Sequence, residues 1–427
     1  MHLLATASRG TADLVADDCR RLGLHVVDVR RDGVILRCEP EDAARALVHM
    51  RIATRLLLPL ADIDCPNADA LYASLSKLYW ADWLDDRHTI AVYCSGVLPG
   101  AEGAGRKRAG VGNGLATPIA ASMRAKEAIC DRLRRRYGGR PSVDLDDPDV
   151  HIHIRFNGDR ATVALDLCGQ PLHLRGYRVA EAEDAVRENV AAAMAMASGW
   201  DGSRPLLDPL CGSGTLLIEA VSNALRLAPG ARRDFAVERW PWHGDVMGKL
   251  LDQERAAAIA HEQRALASAN KLDVLGLDFD RGAVRTATIQ IRRAGMSDVI
   301  RVDRGEARAV EAPGGTVVLT NPPVASAPGG RDVEQLYREL GAHWSGFDRV
   351  DAFVVDGHPG FVAAFGLPST GCVTFANGKQ PLQLRHYRLR GERRHFEAAS
   401  PPSSPAPTGD DQASAAPPET AAVATGD

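Results

Sequence analysis

No apolar run in the 427-residue sequence approaches the length that crosses a bilayer, so no membrane partner is expected. The opening stretch, MHLLATASRGTADL, lacks the basic start, apolar core and small-residue cleavage site of a secretory leader, which points to a cytoplasmic protein. Paired cysteines are missing too. Cys19, Cys38, Cys65, Cys94, Cys130, Cys168, Cys211 and Cys372 stand singly, with no C-x-x-C and no histidine at zinc-ligand spacing. That scatter fits reduced thiols and no metal. Lys and Arg are absent after Ser400, where Asp410, Asp411, Glu419 and Asp427 carry the whole net charge of −4 and leave the rest formally neutral. Within that neutral body, Ala104 to Arg140 holds ten Lys and Arg against Glu127 and Asp131, an imbalance that suits a polyanionic partner.

The length exceeds what one core organises, and four regions are expected. Residues 1–45 alternate a helix pattern at Ala12–Leu22 with β-like runs at Leu24–Val29 and Gly33–Cys38. Residues 46–167 read as mixed α/β. There a Gly-rich loop at 96–114 leads into a helix with Thr117 as N-cap, Pro118 in the first turn and Gly138 as terminator. Its predicted apolar face is Ile119, Met123, Ile129, Leu133 and Tyr137, leaving Arg124, Lys126, Arg132, Arg134, Arg135 and Arg136 mainly on the rest of the surface. Tyr79, Trp80 and Trp83 read as core or interface aromatics, and His151 and His153 as an exposed strand face.

Residues 168–398 alternate strand, Gly-rich turn, helix and strand, the mark of a parallel α/β sheet of the Rossmann-like kind. The runs are Pro205–Asp208, Thr215–Leu225, Val274–Asp278, Arg281–Ala294, Val299–Val302 and Thr316–Thr320, with an insertion between Asn223 and Asn270 that includes a polar helix at about Asp252–Asn270. Residues 399–427 are Pro/Ala/Ser-rich and are expected to be disordered.

The run Asp208-Pro209-Leu210-Cys211-Gly212-Ser213-Gly214-Thr215 ends a strand and opens a helix. Glycine lets the backbone approach a ligand, and the helix start offers free N–H donors. A P-loop would need Lys-Ser/Thr after the second glycine, and a dinucleotide fold a third glycine where Leu217 stands. The acid before the turn, Asp208, instead suits a cationic amine, which the methionine end of S-adenosylmethionine carries. Asp278, at the tip of the second strand, is expected either to accept the ribose hydroxyls or to cap the following helix. Glu306 is a candidate acceptor for the adenine amine.

The fourth strand runs into Asn321-Pro322-Pro323-Val324. Consecutive prolines bar a helix and fix the chain as it leaves the strand. The Asn321 side-chain oxygen and the Pro322 carbonyl can then accept both N–H bonds of an exocyclic base amine. That turns the nitrogen lone pair toward the methyl, so positioning supplies most of the rate and no nucleophilic side chain is needed.

These motifs, with Arg175-Gly176-Tyr177-Arg178, Arg187-Glu188-Asn189, Trp240-Pro241, Asn377-Gly378, the run Arg124–Asp131 and Arg140–Asp144, resemble the THUMP-domain methyltransferases, in particular the bacterial 23S rRNA guanine-N2 enzymes. The likeness covers nearly everything but the tail. It implies a class I methyltransferase domain behind a ferredoxin-like segment and a THUMP RNA-binding domain, with S-adenosylmethionine as cofactor. Implied cofactor contacts are Asp208, Cys211, Gly212, Ser213, Gly214, Thr215, Asp278, Glu306 and Asn321, and implied catalytic groups Asn321, Pro322 and Pro323. It also makes Arg106, Lys107, Arg108, Arg124, Lys126, Arg134 and Arg135 RNA contacts.

One departure stands out. The family places an aromatic, usually Tyr, after Asn-Pro-Pro to stack on the flipped base, then a Gly and shortly an Arg. Here the run is Val324-Ala325-Ser326-Ala327-Pro328-Gly329-Gly330-Arg331, and Tyr337, Trp344 and Phe347 are the nearby rings. Three functions follow: guanine-N2 methylation of 23S rRNA, alone or in a pre-ribosomal particle; the same chemistry on tRNA; or an RNA-binding ribosome-assembly paralogue with weakened catalysis.

Overall fold

The structure, a computed structural model, describes residues 1–99, 115–179, 186–324, 332–378 and 380–391. The expected tail and the 106–108 basic cluster lie outside the described residues, all of which fall in the unit Met1–Glu392.

In the N-terminal half the strands are β1 (His2–Thr6), β2 (His25–Arg30), β3 (Gly33–Arg37), β4 (Arg55–Asp64), β5 (Thr89–Val97), β6 (Ser142–Val143), β7 (Val150–Asn157) and β8 (Arg160–Asp166). They form one sheet in the order β2-β3-β1-β4-β8-β7-β5-β6. The ferredoxin-like strands join the following region through antiparallel β1–β4 pairing, Leu4 opposite Leu57. Helices α1 (Ala12–Arg21), α2 (Pro40–His49), α3 (Ala68–Lys77) and α4 (Pro118–Tyr137) accompany this sheet.

α4 begins and ends where its signals predict. Thr117 accepts the Ala120 N–H, Pro118 opens the helix, and Gly138 ends it in the left-handed region at φ 82°. Its buried face differs. Ala121, Ala125, Ala128, Ile129 and Leu133 face the core, while Ile119 and Met123 are 74% and 57% exposed. The alanine stripe lets the helix backbone approach its neighbours closely, and the bulkier pair falls on the opposite side.

The C-terminal half opens with α5 (Glu188–Ser198), then β9 (Leu206–Asp208), α6 (Thr215–Ala224), α7 (Gly244–Ala267), β10 (Val274–Asp278), α8 (Arg281–Arg293) and β11 (Arg301–Arg304). It continues with β12 (Val317–Thr320), α9 (Val333–Trp344), β13 (Asp348–Asp356), α10 (Phe361–Phe365), β14 (Gly371–Asn377) and β15 (Gln380–Arg390). The sheet order is β11-β10-β9-β12-β13-β15-β14, parallel from β11 to β13 and antiparallel at β15 and β14. Strand order therefore reverses between β9 and β12, the place where open α/β sheets leave a crevice at their carboxyl ends. Two starts differ from expectation by more than one residue. The third strand starts at Arg301, after the buried Val299 and Ile300, and α7 begins at Gly244.

A buried polar network ties the halves together. Asp18 accepts the backbone N–H groups of Arg51 (2.7 Å) and Ile52 (3.3 Å), and the Arg51 guanidinium donates to Leu227 O at 3.1 Å. Arg175 bonds both Glu219 and the Arg51 carbonyl, and the Tyr177 hydroxyl donates to Glu219 at 2.8 Å. Asn189 reaches Ile52 O at 3.2 Å. Residues quoted above only as family motifs thus connect the two sheets. At Gly10, φ is +84° and an added Cβ would lie 2.2 Å from the Thr374 carbonyl oxygen on β14.

Candidate functional site

The carboxyl ends of β9, β10 and β12 converge on one pocket, as their place beside the strand-order reversal requires. Asp208, Cys211, Gly212, Ser213, Thr215, Asp278, Asn321, Pro322 and Pro323 all line it. Gly214 is instead the N-cap of α6, at φ 78°. An added Cβ would lie 3.3 Å from the Ala287 methyl of α8, and at this positive φ a larger residue is strained.

Asp208 is 1% exposed. Its Oδ1 accepts the Thr320 hydroxyl at 2.6 Å and the Leu210 N–H at 3.2 Å. Burial pushes its carboxyl up to about 7, against those two bonds, with Asp278 adding repulsion. Among the described residues Oδ2 has no bond of its own, so the carboxylate keeps an acceptor for a cationic group.

Asp278 accepts the Gly212 N–H at 2.9 Å on Oδ2 and the Asp280 N–H at 2.9 Å on Oδ1. The cap of α8 is Asp280, which accepts the Ala283 N–H at 2.8 Å. The capping alternative for Asp278 therefore falls away, and its role is to brace the glycine turn at the pocket wall. Burial raises its carboxyl as well. Behind the turn, Gln290 of α8 donates to Ser213 O at 2.6 Å. Burial and the two carboxylates push the Cys211 thiol up, which disfavours its thiolate.

Glu306 is not among the lining residues. Both its oxygens bond Arg308 at 2.8 Å, and Arg308 also reaches Glu339. Sequence reasoning gave no site role to Val186, Phe279, Asn377, Gln380 and Leu382, which also line the pocket. Phe279 carried a signal: a large ring directly after Asp278, 45% exposed, with the Arg304 guanidinium 5.2 Å from its centroid. Asn377 stood in a quoted motif without a role.

The rings considered as replacements for the missing aromatic are elsewhere. Tyr337, Trp344 and Phe347 are buried in a second apolar cluster with Phe361 and Phe365. Tyr337 and Trp344 lie on the core face of α9, and Phe347 packs just beyond its end, which places all three outside the pocket lining. Tyr337 nonetheless touches the tetrapeptide from behind, its hydroxyl donating to Pro323 O at 2.6 Å. Val324 lines the pocket beside Gly357 and Leu382.

Of the basic candidates on α4, Arg124 is committed to Asp69 (2.9 Å) and Glu127 (3.1 Å) and lies over the Tyr72 ring. Lys126 is half-buried, and Arg134 and Arg135 are exposed. Two aromatic expectations change. Tyr79 is 61% exposed while Trp80 is buried, because only the Trp80 indole finds a carbonyl, Leu75 O, inside. His151 is buried, stacked with Tyr93, and His153 lies 3.4 Å from the buried Asp166, since β7 is central in its sheet. Among the described residues no His/Cys/Asp/Glu group is arranged to hold a metal, and no helix is long and apolar enough to cross a membrane.

Comparison with known proteins agrees along the chain. Residues 2–57 match the RlmL ferredoxin-like domain, 65–166 the THUMP domain and 175–385 the RMKL-like methyltransferase domain. The ribosomal RNA large subunit methyltransferase K/L of Allochromatium vinosum is 34% identical over 408 residues, covering 93% of this chain and 52% of that protein. Its counterpart in Syntrophotalea carbinolica is 32% identical over 418 residues, covering 94% and 55%. The chain thus spans about half the length of the curated relatives it matches. Among solved structures, SMU.472, assigned as a methyltransferase and complexed with SAH, superposes with TM-score 0.77 at 25% identity over 92% of this chain and 98% of that one. TrmN of Thermus thermophilus shares the fold, with TM-score 0.62 at 19% identity over 91% and 99%.

Proposed function

Because the chain belongs to the THUMP-domain methyltransferase family, we propose that it transfers a methyl group from S-adenosylmethionine to the N2 amine of a guanine in 23S rRNA. The observation that carries this reading is the meeting of Asp208, Asp278 and Asn321-Pro322 in one pocket at the strand-order reversal. The donor set fits the cofactor. Asp208 retains an oxygen for an ammonium group, and Asp278, with one backbone bond on each oxygen, retains lone pairs for two ribose hydroxyls. The exposed Phe279 ring offers a face for the adenine.

When bound, S-adenosylmethionine supplies an electrophilic methyl on sulfonium. The chain's part is orientation. The Asn321 side-chain oxygen and the Pro322 carbonyl accept the two N–H bonds of the base amine and aim its lone pair into the pocket. The Tyr337 hydroxyl holds the neighbouring Pro323 carbonyl, so the tetrapeptide is fixed before the base arrives. Exposed Arg134 and Arg135 on α4 offer charge to the RNA backbone. The same chemistry on tRNA is the alternative substrate. A second reading, an RNA-binding assembly factor with little catalysis, is favoured by Val324 and by the burial of all three candidate rings.

The test is calorimetric binding of S-adenosylmethionine and S-adenosylhomocysteine, followed by labelled-methyl transfer to unmodified 23S rRNA and tRNA with nucleoside mass spectrometry. N2-methylguanosine in the rRNA is the expected product. Cofactor and RNA binding without product selects the second reading, and no affinity for either cofactor form sinks both enzymatic readings, on rRNA and on tRNA.

A further inference from the structure

We propose that Arg187 binds a phosphate of the RNA strand at the mouth of the pocket, beside the nucleotide whose base enters it. The inference rests on the methyltransferase reading above and names a contact between that site and its substrate. Val186 lines the pocket and the next residue, Arg187, is exposed. Its backbone N–H points to the Asn377 side-chain oxygen at 3.4 Å, and its Nη2 lies 3.6 Å from the place a Cβ on Gly378 would occupy. Asn377 and Gln380, on either side of that turn, line the same pocket. The guanidinium therefore sits on the pocket's rim.

The neighbouring arginines differ from it in their partners. Arg175 pairs with Glu219 and Arg178 with Glu188, whereas among the described residues no carboxylate pairs with Arg187. Burial, then Arg187, Arg175, Arg178 and Arg55, push the nearby His173 down to about 4. Among the described residues Arg55 and Arg175 have their charge matched by Asp166 and Glu219, and Arg178 by Glu188, whereas Arg187 has no such partner.

A base that leaves its stack to reach an enclosed site keeps its phosphates outside, at the rim. A guanidinium matches phosphate geometry with two parallel hydrogen bonds. The other oxyanion available is the carboxylate of the cofactor. It shares a carbon with the ammonium assigned to Asp208, and Asp208 is 1% exposed at the pocket floor, while Arg187 is outside the lining.

The experiment compares wild type, Arg187→Gln and Arg187→Lys for affinity to an unmodified 23S rRNA fragment across salt, and for S-adenosylmethionine by calorimetry. Losing one phosphate contact should weaken RNA binding about 3–10-fold near 0.15 M salt and reduce the log–log salt slope by about 0.7. Arg187→Lys should keep most of the slope, and cofactor affinity should not change in either variant. An unchanged slope in Arg187→Gln overturns the proposal. So does a loss of cofactor affinity with RNA binding intact, which would assign Arg187 to the cofactor carboxylate. If wild-type protein binds no cofactor, the methyltransferase reading fails, but the slope comparison still decides Arg187.

Discussion

Burial beneath the glycine turn lifts the Asp208 carboxyl from an ordinary 3.8 to about 7. The folded value lies above the unfolded one. Its contribution to stability is therefore fully present below about 3.8 and is lost as pH rises through about 7. Asp208→Asn, neutral at every pH, should melt higher than wild type at pH 8 in the absence of ligand, with the advantage vanishing near pH 4. The same variant should bind S-adenosylmethionine at least about tenfold more weakly, the cost of removing an ion-paired partner. Melting scans at both pH values and calorimetry check the two halves, and an unchanged cofactor affinity would remove Asp208 from the ammonium site. Thr320→Val deletes the hydroxyl that favours the ionised carboxylate, so the pH below which cofactor affinity falls should rise, while Thr320→Ser restores it. At Val324, a tyrosine would supply the base-stacking ring that Tyr337, Trp344 and Phe347 cannot. Steady-state kinetics of Val324→Tyr should show roughly a tenfold gain in kcat/KM, for about 1–3 kcal/mol of stacking. No gain would mean that stacking is supplied otherwise. At this scale the sequence was informative where chemistry is local: an acid ending each of two strands, prolines after a third. It left Asp278 open between two roles because Asp278 and Asp280 are both placed to cap α8, and only the folded chain shows Asp280 taking the bond.

α9 links the Asn321–Val324 loop to the second apolar cluster. Tyr337 packs edge-on to Phe361, with ring centroids 4.8 Å apart, and its hydroxyl holds Pro323 O. Tyr337→Phe keeps the packing and frees the carbonyl. It should cost about 1 kcal/mol of stability and lower kcat several-fold, with cofactor affinity unaffected. A change in cofactor affinity alone would contradict this positioning role. The elements themselves were largely legible. Capping is written in consecutive residues, so Thr117-Pro118 and Gly138 bound α4 correctly. Which face of α4 is buried was not, because the periodicity of Ile119 and Met123 outweighed that of alanines whose small size is the reason for close packing. The rings of α9 were misjudged for the opposite reason. Nearness in sequence to the loop does not tell which side of a helix meets it.

Between the two sheets, Arg51, Asp18, Arg175, Glu219 and Tyr177 form a network whose members are drawn from both halves of the chain. Burial raises the Glu219 carboxyl, and the Arg175 guanidinium opposes the shift. Glu219→Ala would leave that guanidinium without a counter-charge, costing about 3–5 kcal/mol, whereas the double change Arg175→Met with Glu219→Leu should recover most of it. Urea unfolding measures both, and equal losses in the single and double variants would show that packing, not charge, holds the junction. The motif around Arg175 and Tyr177 marked two of its members but not their partners, since Asp18, Arg51 and Glu219 are far apart along the chain and each reads alone as an ordinary surface charge.

Gly10 gives this junction a second meaning. With the Thr374 carbonyl occupying the space where a side chain would begin, the loop after β1 sets how far β14 can advance toward the body of the protein. β14 ends at Asn377, which lines the pocket and accepts the Arg187 backbone N–H, so the strand that carries one wall of the pocket rests against a residue near the start of the chain. A single methyl group there would act as a shim, forcing either that strand or the loop after β1 to give way.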